Sequence, residues 1–240
     1  MIYTISIYFI LFIIYSFVGW LMEVVNCLVE KHRFINRGFL IGPVCPIYGV
    51  GSLLLIIFLT RYSDNLLRLF FHAIIICSIL EYMTSYFMEK IFHARWWDYS
   101  KNKFNLNGRI CAETMIPFGI FGTLIVGYVN PFLYDKLSLI NPTAIEYIAL
   151  VLFLAYLLDS IVSTGIIINI GKTMKFVEKD ATEQITKKVK SIIESQGKIY
   201  ARIFNSFPSL INTKERLIDI RDALNKELAK FDKKKKKKGE

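Results

Sequence analysis

Apolar residues in this chain do not recur at helical or strand period through a mixed sequence; they are joined into long continuous runs, and that constrains the fold more than any other feature. Five runs, about 2–25, 39–60, 67–90, 113–133 and 144–170, are each long enough to cross a hydrocarbon core of ~30 Å as a helix rising ~1.5 Å per residue. Membrane strands are about half that length and alternate in polarity, so they do not fit. The expected fold class is all-α: a polytopic membrane helix bundle of about five transmembrane helices over residues 1–171, followed by a cytoplasmic, helical, basic C-terminal tail over 172–240. A hydrophobic fraction of 54% against 21% charged residues excludes a disordered chain.

Charge separates the two parts. Residues 1–171 carry 11 Lys and Arg against 10 Asp and Glu, whereas residues 172–240 carry 19 against 10. The first part suits lipid and the second suits water beside an anionic surface. Basic residues also set the orientation. Lys31, Arg33 and Arg37 lie in the first connection, and Lys90, Arg95, Lys101, Lys103 and Arg109 in the third; the second has Arg61 and Arg68, and the fourth has Lys136. The excess in odd connections predicts a multi-pass cell-membrane protein with its N-terminus outside and its C-terminus cytoplasmic. With no basic residue before Lys31, the first run lacks the leading positive segment of a cleavable signal and is expected to stay as a span. Cys27, Cys45, Cys77 and Cys111 are isolated from one another, which argues against a disulfide framework.

Two segments interrupt the apolar runs on the expected cytoplasmic side. NRGFLIGPVCPIYG, from Asn36 to Gly49, brings Gly38, Gly42, Pro43, Pro46 and Gly49 to the start of the second run, predicting either a broken span of the kind that lines transport sites or a tight turn below the membrane surface. RWWDYSKNKFNLNGRIC, from Arg95 to Cys111, reads as an interfacial aromatic belt with a turn at Asn107-Gly108, or as a substrate-facing loop. Asn130-Pro131 is expected to end the fourth helix, and Asn141-Pro142 to cap the fifth.

Ionisable residues within the spans carry the functional expectation, because a carboxylate in hydrocarbon costs several kcal/mol unless it is paired or hydrated. Glu23, Glu81, Glu89, Glu113 and Asp159 all fall toward the cytoplasmic half, where Arg37, Arg95 and Arg109 can pair with them. A polar, water-reached pocket open to the cytoplasm follows, and Glu23, Arg37, Glu81, Glu89, Asp98, Asn107, Arg109, Glu113 and Asp159 are its candidate substrate-binding residues. Asp159 and Ser163, four apart, give the fifth span either a polar stripe or helix-packing contacts.

Other chemistry is weaker. Cys45, Cys111, His32 and His93 lack the close ligand pairs of a zinc site. GIIINIGKT, from Gly165 to Thr173, has five residues between its glycines where a phosphate loop has four, and follows a membrane helix where a strand is needed. No catalytic set, metal or cofactor is therefore expected, and any ATP must be bound by a separate subunit. The tail has two amphipathic stripes, before and after Pro208, and ends in Lys233, Lys234, Lys235, Lys236, Lys237 and Lys238. Without interleaved aromatics, these lysines suit anionic lipid rather than nucleic acid.

GWLMEVV at Gly19, NRGFLIGPVCPIYG at Asn36, EYMTSYFMEKIF at Glu81 and RWWDYSKNKFNLNGRIC at Arg95 together resemble the bacterial integral membrane family known as putative ABC-transporter type IV, or CmpB-like, over roughly residues 10–125. Glu23, Arg37, Pro43, Cys45, Pro46, Tyr48, Glu81, Glu89, Trp97, Asp98, Asn107, Arg109 and Cys111 match its recurring positions. The resemblance implies a permease subunit in a bacterial plasma membrane, working with an ATPase partner and open to self-association. Two alternatives remain. One is a membrane-embedded enzyme on a lipid or lipid-linked substrate, with Glu23, Glu81 or Asp98 as acid or base and Arg37 or Arg109 on phosphate. The other is a regulatory scaffold acting through its tail.

Overall fold

The structure, a computed structural model, describes residues 1–179 apart from Arg33, Ile35 and residues 93–96. The tail stripes, Lys233 to Lys238, His93, Arg95 and Trp96 lie outside the described residues.

Helices dominate. α1 (Ile2–Lys31) leads through a connection to α2 (Pro46–Leu59), which a 3-10 turn, Thr60–Tyr62, extends. α3 (Leu66–Phe92) is followed by a short antiparallel hairpin, β1 (Asn105–Leu106) with β2 (Ile110–Cys111), pairing Asn105 with Cys111 and Leu106 with Ile110. α4 (Ala112–Leu124), a π-helical turn (Ile125–Val129) and α5 (Asn130–Ser138) form one helical run, and α6 (Pro142–Lys179) closes the described chain. Four segments are long and apolar enough to cross a membrane: Ile2–Val29, Leu66–Ile91, Ala112–Ser138 and Pro142–Ile168. The protein is a polytopic helical membrane protein.

Two differences from the sequence expectation have local causes. The second apolar run becomes helical at Pro46 rather than at residue 39. Cys45 is extended, as a residue before proline prefers, and Pro46 takes the first helical position, where its missing N–H costs nothing. Together, α2 and its 3-10 turn (Pro46–Tyr62) are apolar but shorter than the other four. At the fourth run, Asn130-Pro131 does not end the helix. The Asn130 N–H reaches back five residues to the Ile125 carbonyl, and this wider turn accommodates the proline that follows, so the helix continues to Ser138. Asn141 does cap α6, its side-chain oxygen accepting from the Thr143 N–H at 2.9 Å.

α1 packs against α2 and α6, while α3 packs against α4 and α2. One core cluster joins Ile7, Ile10, Leu11 and Tyr15 of α1 to Ile56, Ile145 and Ala149; a second joins Leu55, Leu59, Leu69, Ala73 and Val126. Leu67, Phe71, Ile75, Ile79, Met83, Phe87 and Ile91 are exposed at steps of four along α3, a face suited to acyl chains. Without a hydrophobic force between helices in lipid, close packing depends on small residues. A Cβ at Gly49 would lie 2.2 Å from Ser16 Oγ and 2.6 Å from the Phe12 carbonyl oxygen, whereas nothing lies within 4 Å of one at Gly165. We therefore expect Gly49→Ala to lose about 1–3 kcal/mol through overpacking of α1 on α2. Gly165→Ala should unfold at the wild-type temperature in the same nanodisc melt; equal melting of both variants would contradict this packing.

Candidate functional site

Because the helices alternate in direction, the end of α1, the connection to α2, the end of α3, the hairpin and the start of α4 meet at one end of the bundle. The carboxyls of Glu23, Glu81 and Glu89 lie there too.

On α1, Glu23 points at that connection. Tyr48, in the first turn of α2, donates its hydroxyl to Glu23 Oε1 at 2.6 Å, and Arg37 Nη1 lies 3.1 Å from Oε2. Gly19 makes room for the Tyr48 ring, since a Cβ there would fall 2.2 Å from Tyr48 Cγ. Arg37 Nη1 also reaches Cys27 Sγ, one turn after Glu23, at 3.5 Å, and the Cys45 thiol faces the Arg37 carbonyl. Burial alone would lower the Arg37 guanidinium's pKa, but the Glu23 carboxylate, helped by Cys27, outweighs it and raises the pKa, so the guanidinium stays charged.

The connection itself is held by two further anchors. Trp20 Nε1 donates to Asn36 Oδ1 at 2.7 Å, and the Asn36 amide donates to the Ile41 carbonyl at 3.1 Å. From α6, Asp159 accepts the Ile41 N–H at 3.0 Å and the Gly42 N–H at 2.8 Å; Ser163 Oγ also accepts from Ile41 and donates to Asp159. Backbone that cannot join a helix at this depth thus finds its acceptors on another helix. Asp159 therefore anchors the connection to α6. Gly42 permits the approach, because a Cβ there would lie 2.8 Å from Asp159 Oδ2.

Glu81, on α3, is 7% exposed. Tyr99 donates its hydroxyl to Oε1 at 3.1 Å, and Thr114 Oγ1 of α4 lies 3.5 Å from Oε2. Burial above all pushes the Tyr99 phenol far above its ordinary range, so it remains a donor. Two turns further along α3, Glu89 pairs with Arg109 of the hairpin at 2.7 Å. Arg109 also donates to Ser85 at 3.4 Å, and its guanidinium stacks over Tyr82 and Tyr86 at 5.7 and 5.4 Å from the ring centroids. The Arg109 carbonyl accepts from Trp97 Nε1 at 2.9 Å.

The other three candidates are exposed. Asp98 accepts from the Ser100 backbone and hydroxyl. Glu113 accepts from the Asn102 amide at 2.7 Å. Asn107, left-handed at φ 55 beside Gly108 at φ 68, forms the hairpin turn and donates to the Tyr82 hydroxyl at 2.9 Å. The structure thus joins Glu23 to Arg37 and Glu89 to Arg109, sets Glu81 beside Tyr99 and Thr114, ties Asn107 to Tyr82 of α3, and pairs Asp98 with Ser100 and Glu113 with Asn102. Sequence reasoning gave no role in the site to Tyr48, Thr114 or Trp20, and read Tyr99 only as an interfacial aromatic. Their only signal was position, since each lies beside a glycine, proline or acidic residue already singled out.

A family model described as putative ABC-transporter type IV matches residues 10–164. No curated protein and no solved structure matches the chain.

Proposed function

Because the chain belongs to the putative ABC-transporter type IV family, we propose that it is a permease subunit of the cell membrane of a bacterium, its binding region the recess framed by Glu23, Arg37, Tyr48, Glu81, Tyr99 and Arg109. The observation that carries this reading is the gathering of two ion pairs and a buried carboxyl from α1, α2, α3, the hairpin and α4 at one end of helices otherwise built for lipid. Ionisable groups this costly in hydrocarbon are kept where a polar solute passes or binds. The basic first and third connections support a cytoplasmic position for that end, with the N-terminus outside. Energy would come from a separate ATPase subunit, and the tail lysines Lys233–Lys238 would rest on anionic lipid.

Catalysis on a lipid phosphate fits less well. Arg37 and Arg109, the guanidiniums it would need, are each engaged by a carboxylate, and Asp98 is held by its neighbour Ser100. The deciding experiment profiles the solutes that membrane vesicles accumulate with and without ATP. ATP-dependent accumulation should vanish in Glu81→Gln and Arg109→Ala and persist when residues 180–240 are deleted. The reverse pattern would replace the permease with a tail-borne scaffold.

A further inference from the structure

Protons around Glu81 can be counted. A hydroxyl has one proton to donate and two lone pairs to accept with. Thr114 Oγ1 donates to the Cys111 carbonyl at 2.9 Å, in its own first helical turn; Oε2 of Glu81 is further off, at 3.5 Å. Were Glu81 ionised, Oε2 would have no donor while 93% of the residue is buried among helices. A neutral acid resolves the arrangement. Tyr99 donates to Oε1, Oε2–H donates to Thr114 Oγ1, and Thr114 donates to Cys111, so every proton has an acceptor and every oxygen is used.

The neighbouring charges agree. On α1, Glu23 pairs with Arg37, so that guanidinium is engaged by another carboxyl. On the hairpin, Arg109 is spent on Glu89. On α3, Cys77 lies one turn before Glu81 and Ser85 one turn after it. On α4 and its approach stand Thr114 and the fully buried Cys111. α2 contributes Tyr48, which faces Glu23. Among the described residues, no cation reaches Glu81.

We propose that Glu81 is a proton-binding site, neutral in this conformation. The site deepens the permease reading, since a carboxyl that exchanges its proton for water or a cationic solute couples the recess to its contents. The protonation itself rests on geometry alone. Two carboxyls on separate helices, one paired with arginine and one neutral among hydroxyls, are thereby given different tasks.

The test is infrared spectroscopy of the full chain in lipid nanodiscs at neutral pH. A carbonyl stretch of a neutral carboxylic acid, sensitive to deuterium exchange, should be present in the wild type and in Glu23→Gln and absent in Glu81→Gln. In Thr114→Val it should move to higher frequency, because the acid loses its acceptor. Absence of the band from the wild type, or its persistence in Glu81→Gln, overturns the proposal. If Glu81→Gln fails to fold, the wild-type band and its displacement in Thr114→Val decide alone. A band with the expected behaviour in a protein that moves no solute with ATP would sink the permease reading and leave the proton site standing.

Discussion

Replacing Asp159 by alanine is expected to lower the unfolding free energy of the membrane bundle by about 3 kcal/mol or more. One carboxylate satisfies the backbone N–H groups of both Ile41 and Gly42, and each hydrogen bond to a charged acceptor contributes about 1.5–3 kcal/mol. Ser163 can retain Ile41 but leaves Gly42 unpaired at a depth where water does not easily substitute. Asp159→Asn should fall between wild type and alanine, because its amide offers one acceptor oxygen where the carboxylate offered two. Ser163→Ala should cost less than either, since Asp159 still accepts from Ile41. Thermal unfolding in nanodiscs ranks the four proteins; an alanine variant melting with the wild type would mean that the 38–45 connection does not depend on α6.

Arg37→Ala is expected to cost roughly 2 kcal/mol and to abolish solute accumulation. Removing one partner of a fully buried ion pair costs about 3–5 kcal/mol, because the other charge is stranded. Here the side chains retain 30% and 27% of their exposure, which tempers the loss. Glu23 would keep the Tyr48 hydroxyl as a donor but lose its counter-charge. The double variant Glu23→Gln/Arg37→Gln removes both charges together and should recover most of the stability without recovering transport. A single variant as stable as the double would show the pair to be decorative. A double variant that transports at the wild-type rate would remove Glu23 and Arg37 from the binding region.

How far the site could be read from sequence differs from residue to residue. Glu23, Glu81, Glu89 and Asp159 stand out because each is a carboxylate in an apolar run, a local mismatch that needs no knowledge of neighbours. Their partners are another matter. Arg37, Arg95 and Arg109 were equivalent candidates, yet Glu23 takes Arg37 and Glu89 takes Arg109. Asp159 with Ser163 was legible as a stripe, but its use as an acceptor for Ile41 and Gly42 depends on the connection lying against α6, 117 and 118 residues away in the chain. Tyr99 looked like an interfacial aromatic and instead covers Glu81. Asn130-Pro131 read as a helix end because the rule for proline is local, whereas packing of the π-helical turn on α2 favours the continued rod.

Hydropathy, the proline positions and the basic connections are sums over neighbouring residues, and the free energy of moving a segment into lipid is nearly additive along the chain. The sequence by itself therefore determined that this is a bundle of membrane helices with costly acids toward one end. Which acid meets an arginine, which accepts from backbone and which stands among hydroxyls was decided only by the tertiary structure. Hydrogen bonds and ion pairs act over a few ångströms, and helix packing alone brings such partners within reach.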